Sequence, residues 1–398
     1  MDMLKQTPPR PVPVNGWAPL ALGFRPFFLL AGVAAVLLML LWGGIWHQRV
    51  SAPAYYGAVA WHGHEMLFGY AAAVIAGFLL TAVRNWTGAP TWTGGRLGLL
   101  AVLWLLGRLL PWLGGVPTWV VPLVDVAFLP LVAWSLYAPL WQGQNKVNRV
   151  FVPLLLSMAL ANLFSHLQLL GVVEGIGDMR RVMVELVLLL IALVGGRVMP
   201  FFTQNVVPGF KPKRYAWVET LTFVGLGLIA AGEASALVPA AALGALWLSV
   251  ASLQAIRLGG WFDRRVFKIP VLWVLHLGYA WLALGAALVG LSGFGAFPGS
   301  SALHALTAGA IGVFTLGMMA RVTRGHTGRP IDVDRPVVAA FVAANVAALM
   351  RVFGTAWFAS GYAMWVDLSS TLWVIAFALF AYAHVPMLLR MRIDGRPG

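Results

Sequence analysis

A chain of 398 residues that is 60% hydrophobic and only 10% charged cannot dress an ordinary water-facing surface, which excludes a soluble globular enzyme. Its formal charge of +14 would suit nucleic acid in a soluble protein, but the basic residues fall in short gaps between apolar runs, where topology explains them and nucleic-acid binding is not expected. With no cysteine there is no disulfide, no thiolate site and no thioether-linked haem, so any metal or haem relies on histidine, methionine, tyrosine or carboxylate.

In chain order, a proline-rich polar stretch through Pro19 lacks the short apolar core and cleavage site of a removable signal. Residues 1–23 read as a cytoplasmic tail, and residues 24–398 as one membrane domain with a short cytoplasmic C-terminal tail. A span needs about 20 apolar residues. The chain offers twelve, at roughly 24–46, 62–83, 96–113, 117–139, 148–171, 181–203, 216–232, 236–257, 267–291, 301–322, 335–356 and 361–389. The expected fold is therefore an all-α polytopic membrane protein in a lipid bilayer. Basic residues collect on alternate gaps, from Lys5 and Arg10 through Lys211, Lys213, Arg264, Arg265 and Arg335 to Arg390 and Arg392, whereas the opposite gaps hold Arg49, Arg180 and Arg181. Cytoplasmic loops carry the excess of Lys and Arg, so both termini are expected in the cytoplasm.

This topology turns histidine positions into depths. His47 ends helix 1, His62 and His64 open helix 2 in WHGHEMLFGY, His166 lies near the end of helix 5 and His304 near the start of helix 10. At about 1.5 Å rise per residue these five share one outer layer. Imidazoles converging from several helices make a metal site suited to copper, iron or zinc, while a lone interfacial histidine need only bond a carbonyl. Gly63 between His62 and His64 would permit an irregular first turn that brings both to one side. In a regular helix the two diverge by about 200°, one towards copper and the other towards haem. Glu65, Asp125 and Glu185 lie at similar depth and are candidates for proton supply, because ionisable groups in hydrocarbon are costly and commonly functional.

Shifted by 240 positions, HEMLFGYAAAVIAGFLLTAVRNWTG (64–88) lies on HALTAGAIGVFTLGMMARVTRGHTG (304–328) without a gap, matching His64 to His304 and Arg84 to Arg324 together with three glycines and a threonine. These residue types do not serve merely to face lipid. An internal repeat relating helices 2 and 10 is expected, with His64 and His304 facing one another in equivalent roles. The inner helix ends gather Arg25, Arg84, Arg197, Arg324 and Arg329, whose guanidinium forks suit haem propionates, a quinol or anionic lipid; positive-inside bias explains part of this cluster, though not Arg197 within helix 6. His276, nearly mid-depth in helix 9, pairs with His326 as possible ligands of an inner haem, or is simply a hydrogen-bonded core histidine.

FRPFF, WHGHEMLFGY, RNWTG, RVMPFFTQN and HALTAGAIGVFTLGMMARVTRGHTGR together resemble the NnrS family of bacterial inner-membrane proteins, over essentially the whole chain from Phe24. The resemblance implies haem b (one or two), copper and a role in nitric oxide stress. The expected activity is quinol-dependent reduction of nitric oxide to nitrous oxide near the periplasmic side. The alternatives are a non-enzymatic haem/copper protein that binds or senses nitric oxide, a copper-handling carrier, or a secondary transporter. Histidines in helices 2 and 10 of twelve also make an analogy with haem-copper oxidases. The adjacent His-His pair of an oxidase copper site is absent, however, and helix 6 offers Glu185 and Arg197 instead.

Overall fold

The computed structural model describes residues 16–396, so most of the expected N-terminal tail lies outside the described residues. Twelve helices are long and apolar enough to cross a membrane: α1 (Phe24–Trp46), α2 (Ala58–Thr87), α3 (Gly94–Trp112), α4 (Val120–Gln142), α5 (Lys146–Leu169), α6 (Met179–Val206), α7 (Ala216–Ser235), α8 (Ala240–Trp261), α9 (Pro270–Gly293), α10 (Gly299–His326), α11 (Arg335–Trp357) and α12 (Ala359–Leu389). In hydrocarbon every backbone polar group must be satisfied within the segment, which leaves helices as the solution for such runs. Each helix covers one expected span. Several overrun it at polar ends, as α2 does at both ends, because helical hydrogen bonding continues past the last apolar residue.

The contacts recur every four helices. α12 packs on α1, α4 on α5 and α8 on α9; α3 packs on α4, α7 on α8 and α11 on α12. At the centre α2, α6 and α10, the most deeply buried helices, touch one another. The bundle is thus three four-helix units around a central trio, and the expected relation between helices 2 and 10 joins the same position in the first and third units. In both, the α-helix ending at the histidine passes at the next residue into π-helical turns, Glu65–Ala71 in α2 and Ala305–Val313 in α10. A π turn takes an extra residue, so it rotates everything beyond it relative to a regular helix.

Both described chain ends meet on one face, here called inner: Trp17 and Arg390 form an isolated antiparallel bridge, and Ala18 N donates to Leu389 O at 2.8 Å. Arg25, fully buried near the start of α1, secures this junction. Its Nη1 donates to the carbonyls of Met387 (3.2 Å), Leu388 (3.1 Å) and Arg390 (2.5 Å), the otherwise open C-terminal end of α12. Arg25, expected among the cofactor-binding arginines, is here a clamp on a helix end. Arg25→Ala should destabilise the protein by about 3 kcal/mol, the order expected for buried carbonyls losing a charged donor, read as a lower Tm of the purified protein.

Candidate functional site

The outer half of α2 divides two sites. On one side, His64 of α2, Asp125 of α4 and His166 of α5 are buried and offer ligand atoms that all lie within 4.8 Å of one another. His64 Nε2 stands 3.1 Å and His166 Nε2 3.2 Å from Asp125 Oδ2, to which Asn162 Nδ2 donates at 2.7 Å. Arg108 of α3 contacts the other carboxylate oxygen of Asp125 and places Nε 3.0 Å from Glu65 Oε2. This close packing needs Gly107, where a Cβ would stand 2.7 Å from Asp125 Oδ1. Trp104 Nε1 donates to Gly69 O at 3.0 Å, inside the π-helical segment that follows His64.

The remaining ring nitrogens favour ligation. His64 Nδ1 lies 3.3 Å from Glu65 Oε1 and His166 Nδ1 2.9 Å from Tyr55 Oη, so each ring can hold its proton on Nδ1 and present Nε2 as a lone pair. In that state both lone pairs face Asp125 Oδ2, and a cation between them resolves the repulsion. The 3.1 and 3.2 Å edges match the ~3.3 Å separation of ligands held at ~2.0 Å in a tetrahedral site. Tyr55 and Tyr56 precede α2, outside the spans. Burial, then the Asp125 charge, push both phenols up, so they keep their protons; Tyr56 Oη lies 3.4 Å from His64 Nε2.

On the other side of α2 a cavity of about 470 Å³ opens between α1, α2, α6, α10, α11 and α12. His62 and His304 both line it. His62 stacks on Trp42 with centroids 4.3 Å apart, and its nitrogens have no hydrogen-bond partner among the described residues. His304 Nδ1 donates to Ser300 O at 2.7 Å, which fixes the tautomer and leaves Nε2 for a ligand. Arg180, Arg181 and Arg351 share the walls with Trp373 and Tyr70. Asp178 caps α6 and holds Arg180 at 2.9 Å; burial would raise its carboxyl, but Arg180 holds it below the usual range.

The family described as NnrS protein matches residues 18–392, nearly the whole chain. The chain belongs to the NnrS family. Membership places it with membrane proteins of nitric oxide stress. None of the curated proteins compared with it matches.

The five histidines expected in one outer layer fall into separate places in this NnrS chain. His64 and His166 share the triad, His62 and His304 share the cavity, and His47 does neither: its Nε2 meets Asp367 Oδ1 at 2.8 Å, both side chains being largely exposed. The partner of His304 across the cavity is His62 and not His64, because the first turn of α2 is regular and sends the two histidines apart. Asp125 sits among the ligating atoms, and Arg108 ties it to Glu65. Glu185 is buried on α6 with Oε2 unbonded and with Glu233 and Arg181 as its nearby charges.

At the inner side, His276 donates Nδ1–H to Leu272 O (2.8 Å) and its Nε2 stands 3.4 Å from Trp261 O. His326 lies apart from it, against Phe24 and 3.4 Å from Asn85. Arg324, expected to meet a cofactor, closes the α10–α11 loop through Pro330 O (3.3 Å) and an ion pair with Asp334 (2.8 Å). Arg329 lies in that loop, where burial and then the charges of Arg324 and Arg390 push its guanidinium down. Arg84 is half-buried at the end of α2, and Arg197 donates to Asn148 Oδ1 at 2.6 Å. The sequence reading passed over Arg108, Asn162, Tyr55, Tyr56 and Arg351. An arginine in one apolar helix and an aspartate in the next, both in the outer half, was the available signal for the Arg108–Asp125 pair.

Proposed function

We propose that this NnrS protein is a haem-copper oxidoreductase of the bacterial inner membrane that removes nitric oxide, with electrons from membrane quinol: two nitric oxide molecules, two electrons and two protons give nitrous oxide and water. The observation that carries this reading is the pair of histidine-lined chambers back to back on α2. Donor chemistry supports the division between them. Two imidazoles and a carboxylate suit copper at the triad, and two histidines with available nitrogens in a cavity of about 470 Å³, beside three arginines able to pair propionates, suit haem b. When bound, these groups supply the nitric oxide binding and the one-electron chemistry.

The chain's own residues set the conditions. Arg108 holds Asp125 and Glu65 in place, and Glu65 accepts from His64 Nδ1, fixing the ring. Glu65 is the carboxylate beside the triad, and apolar walls admit a small uncharged substrate without a polar channel. The reading is tested by supplying fully metallated, purified protein with excess quinol and many equivalents of nitric oxide. Nitrous oxide should accumulate over many turnovers, measured by gas chromatography. Binding of one equivalent with no nitrous oxide would replace the enzyme with a scavenger or sensor, and a protein without visible absorption would point to a transporter.

A further inference from the structure

At the opposite end of the molecule, a second cavity of about 370 Å³ lies between α2, α6 and α10, where the three units meet. Each helix lines it with the same stripe of positions, i, i+3, i+4, i+7 and i+8, beginning at Phe78 in α2, Val194 in α6 and Met318 in α10. The α2 and α10 stripes are related by the 240-residue shift seen in the sequence. In this frame Thr81, Arg197 and Arg321 occupy one equivalent position, and Trp86, Phe202 and His326 another.

The two arginines have aromatic or amide support but no anion. The Arg321 guanidinium lies 3.2 Å from the Phe202 ring centroid and has no hydrogen bond or ion pair among the described residues. Arg197 lies 5.7 Å from the Phe151 ring centroid and donates only to the neutral Asn148 amide. No aspartate or glutamate lines the cavity among the described residues. Two guanidinium groups within a bilayer-spanning bundle, facing space and lacking a counter-ion, are a costly arrangement that an oxyanion relieves. Thr81 is already committed, donating to Gly77 O at 2.8 Å and accepting from Phe24 N at 2.9 Å.

We infer that this axial cavity binds one anionic phospholipid, its phosphodiester held by Arg197 and Arg321 and an acyl chain leaving past Phe201. The remaining walls are mostly apolar, which a free inorganic ion would leave unfilled, and Phe201 lines the cavity while being 57% exposed on the outside of the bundle. Basic pockets between spanning helices are suited to such head groups. A quinol is disfavoured here by distance: His62 and Thr81 are separated along α2 by roughly 28 Å at ~1.5 Å per residue, far from the outer metal chambers. The exclusion of quinol rests on the proposed function; the lipid assignment itself rests on the cavity and its two arginines.

The test is native mass spectrometry of delipidated full-length protein titrated with phosphatidylglycerol, with phosphatidylcholine of the same chains, with inorganic phosphate and with decylubiquinone. One phosphatidylglycerol should be retained about tenfold more tightly than phosphatidylcholine, and Arg197→Gln and Arg321→Gln should each remove that preference. Exposed Arg335→Gln should preserve it. Ala82→Phe, which fills the cavity without touching charge, should also exclude the lipid and keeps the test decisive if an arginine variant fails to fold. Equal binding of the two lipids, preference surviving in both arginine variants, phosphate binding as tightly as the lipid, or displacement by decylubiquinone would each overturn the assignment.

Discussion

Arg108→Leu should be the most damaging single substitution in the outer half of the bundle, giving protein that melts at markedly lower temperature and holds no metal at the triad. Arg108 is 8% exposed and stands between two carboxylates, Glu65 at 1% and Asp125 at 5%. Breaking one buried ion pair by removing a partner costs about 3–5 kcal/mol, and here one guanidinium serves two acids. The loss also frees Asp125 to turn from the histidines. Melting temperature and metal content of the purified variant measure the two effects separately. Arg108→Lys should recover part of the stability, because it restores the charge without the planar fork that reaches both acids. A leucine variant with wild-type melting and metal content would show that Arg108 is not what organises the triad.

The second large effect divides the histidines into two classes. His62→Ala and His304→Ala should each abolish the haem absorption band while leaving the triad metal in place. His64→Ala and His166→Ala should do the reverse, retaining the haem band and losing the second metal. His47→Ala and His276→Ala should change neither, since one is paired with Asp367 at the surface and the other lines neither the triad nor the outer cavity. Absorption spectra and metal analysis on the same preparations decide the matter. Haem loss in His64→Ala with retention in His62→Ala would reverse the assignment of the two chambers.

The spans were legible because hydrocarbon imposes a length and a composition that the chain cannot disguise, and all twelve helices lie where apolar runs fall. Position along each helix was legible too, since rise per residue is nearly constant along a helix. Azimuth was not. Whether His62 or His64 meets His304 depends on which way α2 is rotated, and that follows from neighbours such as Trp42 and Asn162 that lie far away in sequence. The π-helical turns compound the difficulty, because no composition signal at Glu65–Ala71 announces an extra residue per turn. For the inner arginines, charge counting found the cluster. Only geometry separated Arg25 and Arg324, which bind the chain to itself, from Arg197 and Arg321, which face open space.

His62 and His64 lie two residues apart on one helix yet open into different chambers, so α2 is a shared wall. A rotation of its outer end that suits an occupant of the cavity carries His64 with it and changes the triad. Thermodynamic reciprocity then requires that whatever factor cavity occupancy applies to metal affinity at the triad, metal occupancy applies to the cavity. The shared turn predicts coupled occupancy of the two chambers; titrating one site with the other full and empty measures that coupling in either direction, and equal affinities in both conditions would refute it.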